Sequence, residues 1–192
     1  KIDPVMFDCW MRILIQVPHS ILWLFDGGEI TKKSLQQEAR SRGINPGRLV
    51  FAKKLPKAEH LARLQLADLA LDTRIVNGHT TTSDSLWAGV PVMTLQGDHF
   101  ASRVSASLLN AIGLAELVTH HIDAYEQLAV HLANHPDDLN KIKTKLSRNR
   151  LAGPLFDTPG VVEDLEKAYQ EMWRIFAAGQ APQQFEVIKD SL

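Results

Sequence analysis

One cysteine in 192 residues, Cys9, leaves no partner for an internal disulfide. That economy fits a reducing compartment, and Cys9 lies in an apolar-periodic segment where packing is its simplest role. No apolar run approaches the roughly 20 residues needed to cross a bilayer, and the first residues do not form a signal peptide. Neither sign of charge is in excess: 21 Lys+Arg against 22 Asp+Glu leave a formal net charge of −1. A nucleic acid or an acidic membrane is therefore not indicated as the main partner. GxSxG and HExxH are absent, which removes the serine-hydrolase and zincin readings. Asp26-Gly27-Gly28 lacks the GxGxxG spacing of a dinucleotide loop and reads as a turn. There is no internal repeat and no low-complexity tract. The chain opens on Lys1-Ile2 and reads as a piece of something longer.

The apolar and charged fractions, 45% and 22%, are those of a soluble globular protein with one sizeable core or a core plus an extension. Asp3-Pro4 reads as a capped helix start, with the helix running to about Gln16 and burying Phe7, Trp10, Ile13 and Leu14. Apolar runs at 21–25, 48–52, 69–72 and 90–95 read as strands. Helices are expected between them: one capped by Thr31 and ended by Gly43, one opened by Pro56, one beginning near Thr81, and one over 100–111. Strands alternating with helices predict βαβ units and a parallel sheet. Beyond Ile122 the pattern is helical, at about 124–134, 137–150 and 161–178, with Pro154 and Pro159 as breaks between the last two. The polar residues from Gln180 onward are expected to trail along the surface.

The most informative stretch is NGHTTTSDSLW, residues 77–87. An apolar run ending in Asp72 precedes it, and small hydroxyl residues open the next helix. A helix N-terminus has unpaired N–H groups and partial positive charge, and threonine hydroxyls add donors there, so the layout suits a phosphate. It suits an ordinary capped helix equally well, with Thr81 as N-cap and Asp84 as its capping-box partner. Lys57, His60 and Arg63 follow one helix face, which by spacing alone reads as solvated surface. His131 and His135 are four residues apart, but no third metal ligand is evident for them or for His120-His121.

NGHTTTSDSLWAGVPVMTL followed by ASRVSASLL resembles the donor-binding lobe of the O-GlcNAc transferase family, which is related to the plant SPINDLY proteins. IDPVMFDCW, LPKAEHLARLQLADLALDT and the segment 153–156 resemble the same family in the same order, so the likeness spans nearly the whole chain. It implies an α/β fold: a Rossmann-like parallel sheet, the C-terminal half of a two-lobed GT-B glycosyltransferase, with a C-terminal helical extension. Residues 1–178 would form that lobe and 179–192 a surface tail, with the N-terminal catalytic lobe lying outside this chain.

The resemblance implies that GlcNAc moves from UDP-GlcNAc to a protein Ser or Thr hydroxyl, with inversion and without metal or other cofactor. Carried over position by position, Thr80 and Thr81 would hold the diphosphate and His79 would sit beside sugar and phosphate. Lys57 and Asp84 would meet the ribose, His60 and Arg63 would flank the uracil, and the Leu55 backbone would pair with its edge. Val76 would line the pocket wall near the N-acetyl group. Lys1, the residue before IDP, would offset charge on the leaving UDP; Lys1 and His79 are thus the catalytic candidates. No general base is evident here. The implied partners are UDP-GlcNAc or UDP, an acceptor protein and the N-terminal lobe, with no nucleic acid and no membrane. The implied location is the cytoplasm, or nucleus and cytoplasm in a eukaryote. Three alternatives stay open: a SPINDLY-like O-fucosyltransferase using GDP-fucose, a non-catalytic nucleotide-sugar-binding module, and a GT-B enzyme with a small sugar or lipid acceptor.

Overall fold

The structure, a computed structural model, describes residues 1–187. The first helix, α1, spans Pro4–Gln16 as its sequence signals require. Asp3 Oδ1 accepts from the N–H groups of Val5 and Met6 at 3.1 and 3.3 Å, and Pro4 occupies the first helical turn. The 3.6-residue period puts Met6, Phe7, Trp10, Ile13 and Leu14 on the buried face. Cys9 is also buried there, and burial pushes its thiol up to about 12, so it packs as an apolar residue. The far end of α1 is closed by Arg48, which donates to the carbonyls of Leu14, Val17 and Ser20 at 2.9, 2.7 and 2.8 Å. A cation on the last carbonyls of a helix satisfies them and favours the helix dipole.

Strands β1 (Leu22–Phe25) and β2 (Leu49–Ala52) pair in parallel, with α2 (Glu29–Ser41) as the crossover. Thr31 does not cap α2. The helix starts three residues earlier than a Thr31 cap would set it, with Gly28 in the cap position at φ +92°, where glycine carries no side-chain penalty. Asp26 fixes this turn: it accepts the Gly28 N–H at 2.9 Å and pairs with Lys32 at 2.9 Å. These contacts, Lys32 foremost, hold its carboxyl below the usual range.

Helix α3 (Lys57–Leu64) leads to β3 (Ala70–Leu71), α4 (Thr80–Trp87) and β4 (Val92–Leu95). A 3-10 turn over Phe100–Ser102 then precedes α5 (Val104–Ala111), where a single helix over 100–111 was expected. Val118–Thr119 form β5, a strand too short to register as a sequence pattern. β3, β4 and β5 lie side by side in that order, all parallel. The class is thus the expected α/β with parallel strands, but the described residues form two ladders, β1-β2 and β3-β4-β5, in place of one continuous sheet.

Helices α6 (Ile122–Asn134), α7 (Pro136–Ala152) and α8 (Thr158–Ala177) complete the helical C-terminal part. α6 packs on α1, where Glu126 receives Arg12 at 2.6 Å and Gln16 at 2.8 Å. Pro159 opens α8 instead of breaking before it, because Asp157 caps the Gly160 N–H at 3.1 Å. Beyond α8, residues 180–184 are exposed while Phe185 and Val187 are half-buried; the last five positions of the expected tail lie outside the described residues.

Candidate functional site

Because β3 and β4 pair in parallel, the segments after them leave from the same edge of their ladder, where ligands of open α/β sheets bind. The segment after β3 is held from within by Asp72, 8% exposed. Its Oδ1 accepts the N–H groups of Gly78 and Thr73 at 2.7 and 2.9 Å, and its Oδ2 accepts the Thr94 hydroxyl of β4 at 2.8 Å. Burial raises the Asp72 pKa, and these donors work against that rise. Tyr125 of α6, fully buried, donates its hydroxyl to the Asp72 carbonyl at 3.0 Å.

Asn77 is equally enclosed, at 0% exposure. Its side-chain amide donates to Thr73 O at 2.7 Å, its Oδ1 accepts the Ser105 N–H at 3.4 Å, and its own N–H reaches Ala101 O at 2.8 Å. Gly78 follows, with its carbonyl accepting the Ser105 hydroxyl at 2.9 Å; Thr82 and Ser105 share a hydroxyl contact of 2.8 Å. A Cβ at position 78 would lie 2.3 Å from Thr82 Oγ1 and 2.6 Å from Thr81 Oγ1, so glycine is required by close approach.

From this base, α4 starts at Thr80 with His79 in the cap position, so Thr81 is not the N-cap. It sits one residue inside the first turn. His79, Thr80 and Thr81 are all exposed, and the hydroxyls of Thr80 and Thr81 make no hydrogen bond among the described residues. The His79 ring meets Phe100 edge-on at 6.0 Å, joining the β3 and β4 segments. Lys57 of α3 pairs with Asp84 of α4. Lys1 donates from Nζ to the Asn77 carbonyl at 2.7 Å, which brings the start of the chain to the same loop. Val76, half-buried, accepts the Thr73 hydroxyl at 2.7 Å. Lys1, Lys57, Val76, His79, Thr80, Thr81 and Asp84 therefore converge at one strand edge.

His60 and Arg63 sit slightly apart on α3, next to β1. Arg63 lies 5.3 Å over the Trp23 ring, donates to Lys53 O at 2.9 Å and approaches His60 Nδ1 at 3.4 Å. These contacts take Arg63 off a freely solvated face. Leu55 is half-buried in the segment between β2 and α3. A groove of about 320 Å³ lies elsewhere, between Leu61, Gln65, Trp87 and Arg150, and its lining includes none of the residues that converge at the strand edge. His131 and His135 stack at 4.1 Å, and His131 bonds Asp138 at 3.0 Å. Among the described residues no three His, Cys, Asp or Glu side chains are grouped to hold a metal.

Sequence reasoning did not assign Asn77, Thr82 or Ser105, nor the aromatic neighbours Trp23 and Phe100. Asp72 was visible only as an acid closing an apolar run.

A parallel α/β lobe with a hydroxyl-bearing helix start at its strand edge belongs to a definable class. Residues 1–165 match the model of glycosyl transferase family 41, and the chain belongs to that family. The probable UDP-N-acetylglucosamine–peptide N-acetylglucosaminyltransferase SEC of Arabidopsis thaliana is 39% identical over 193 residues, covering 100% of this chain and 20% of its own length. A probable enzyme of the same description, SPINDLY of Petunia hybrida, is 33% identical over 186 residues, 95% of this chain and 20% of its own. Among solved structures, a mutant of the Thermobaculum terrenum O-GlcNAc transferase superposes with a TM-score of 0.85 at 34% identity, covering 90% of this chain and 34% of that one. The chain thus spans about a fifth of the length of the two plant relatives and about a third of the solved one.

Proposed function

We propose that this chain is the donor-binding lobe of an inverting, metal-independent transferase that moves GlcNAc from UDP-GlcNAc to Ser or Thr of proteins. The observation that carries the reading is the convergence of Lys1, Lys57, His79, Thr80, Thr81 and Asp84 at one strand edge. Residues 1–178 form the nucleotide-sugar lobe, and the acceptor side lies on another part of the same protein. The SEC relative is more similar than the SPINDLY relatives, 39% against 33–35% identity, and both carry the same UDP-N-acetylglucosamine description. The difference supports the SEC branch over the SPINDLY branch.

In this reading the diphosphate lies at the start of α4, receiving the free Thr80 and Thr81 hydroxyls and first-turn N–H groups. Asp84 and Lys57 meet the ribose, and His60 and Arg63 flank the base near the Leu55 backbone. His79 and Val76 border the sugar. The acceptor oxygen attacks the anomeric carbon from the face opposite the departing UDP, so the C–O bond to phosphate breaks as the new C–O bond forms. The acceptor proton goes to a group outside this chain. Lys1 and the helix start offset the charge gained by UDP, which stabilises the transition state more than the ground state. No helix among the described residues is long and apolar enough to cross a membrane.

The test is transfer of labelled GlcNAc from UDP-GlcNAc to a Ser/Thr peptide by the intact protein, with and without EDTA. Lys1→Ala should lower kcat on the order of 10²–10³ with a modest change in KM, as for loss of one preorganised donor. Activity abolished by EDTA, or a near-normal kcat in Lys1→Ala, overturns the metal-free leaving-group role.

A further inference from the structure

The Asn77–Gly78 peptide is held between two side chains of opposite charge. Its N–H, on Gly78, donates to Asp72 Oδ1 at 2.7 Å, and its carbonyl, on Asn77, accepts Lys1 Nζ at 2.7 Å. An amide is a rigid plane, so fixing the N–H also fixes the direction of the carbonyl. A carboxylate on one side and an ammonium on the other polarise the amide in the same sense, and each makes the other hydrogen bond stronger. The plane has no freedom to turn. The Asn77 side chain ties it to the Thr73 carbonyl and to the Ser105 N–H of α5, and the Ser105 hydroxyl holds the next carbonyl, on Gly78. Asp72 is itself locked by Thr73 and Thr94.

We propose that Asp72 is a positioning residue for Lys1, acting through the Asn77–Gly78 peptide to aim the ammonium at the leaving diphosphate. One of the three ammonium protons is spent on the Asn77 carbonyl, which leaves two directed outward. The carboxylate never touches substrate. Its position beneath a phosphate site would be unfavourable for simple anion binding, and the intervening amide turns its charge into orientation of a cation. This assignment rests on the transferase reading given above.

The experiment is a double-mutant cycle in the intact protein, with kcat and donor KM measured for transfer from UDP-GlcNAc. Asp72→Ala should lower kcat at least tenfold and leave donor KM within about threefold. Asp72→Asn should recover part of the rate, because its amide oxygen still accepts the Gly78 N–H but no longer carries the charge that polarises the peptide. In a Lys1→Ala background, Asp72→Ala should cost less than twofold more, since the group it aims is gone. If Asp72→Ala does not fold, Asp72→Glu keeps the charge, moves the acceptor by one methylene and must show the same loss coupled to Lys1. Equal losses in both backgrounds, or an Asn variant as slow as the Ala variant, overturn the assignment while leaving the transferase reading intact. A Lys1→Ala enzyme as fast as wild type overturns the assignment together with the leaving-group role of Lys1, whereas the absence of GlcNAc transfer by the wild-type protein overturns the transferase reading.

Discussion

Gly78→Ala is the smallest change that disturbs the loop under the proposed diphosphate site. The added Cβ would sit 2.3 Å from Thr82 Oγ1, 2.6 Å from Thr81 Oγ1 and 3.1 Å from the Thr82 backbone nitrogen. Two of these atoms cannot yield cheaply. Thr82 is 3% exposed, its hydroxyl contacts Ser105, and a β-branched side chain in a helix has few rotamers to escape into. The backbone nitrogen moves only if the first turn of α4 moves. Overpacking of this kind costs about 1–3 kcal/mol. A displacement of roughly 1 Å at a reacting centre costs on the order of 10² in rate. The expected result is a kcat/KM for GlcNAc transfer about 100-fold lower, with UDP affinity reduced and uridine affinity nearly unchanged. Calorimetry with both ligands on the intact protein, together with the transfer rate, checks it. A variant with wild-type UDP affinity and turnover would refute the claim that the loop is packed tightly against α4 and that this packing sets the phosphate site.

Thr81→Ala should leave the melting temperature nearly unchanged, because Thr81 is inside the first turn and caps nothing. It should weaken UDP binding about tenfold or more, the effect of losing a hydrogen bond worth about 1.5–3 kcal/mol to a charged group, and spare uridine. Parallel loss for both ligands would return Thr81 to a purely structural role. Burial raises the pKa of Asp72 above the ordinary 3.8, so its carboxylate is costlier in the folded than in the unfolded chain. Its contribution to stability is then full below the unfolded pKa and is lost as pH rises through the folded one. Asp72→Asn, which mimics the neutral acid, should melt at or above the wild type at pH 7, with the difference shrinking as pH falls toward 4. A growing deficit at high pH would show the carboxylate to be net stabilising.

Much of this fold is written locally. Asp3-Pro4 followed by apolar residues at 3–4 spacing defines both the start and the buried face of α1. The apolar runs of β1, β2 and β4 stand out by composition; β4 is buried over Val92, Met93 and Thr94, while Phe25 of β1 and Val50 of β2 are exposed. The signals that misled were also local. Thr31 and Thr81 are good capping residues, but a hydroxyl near a helix start does not say which residue adopts the cap conformation; Gly28 and His79 took those positions. β5 is two residues long and has no period to read. The Asp72 network was illegible because its partners come from 22 residues away in β4 and 53 away in α6. Arg48 reached α1 across 31–34 residues in the same way. For the site, spacing alone favoured a solvated face for Lys57, His60 and Arg63. The family resemblance named them as a group, and the pairing of Lys57 with Asp84 across 27 residues is a tertiary fact that no local pattern contains.

On the proposed function, the strand edge holds a uridine nucleotide, with His60 and Arg63 flanking a single-ring base and α4 receiving its phosphates. Titration calorimetry of the intact protein with UDP and with GDP, under identical conditions, addresses it most directly. UDP should bind at least tenfold more tightly, about 1.4 kcal/mol. Equal affinity, or tighter binding of GDP, would contradict the account and move this lobe to the guanosine-nucleotide branch of the family.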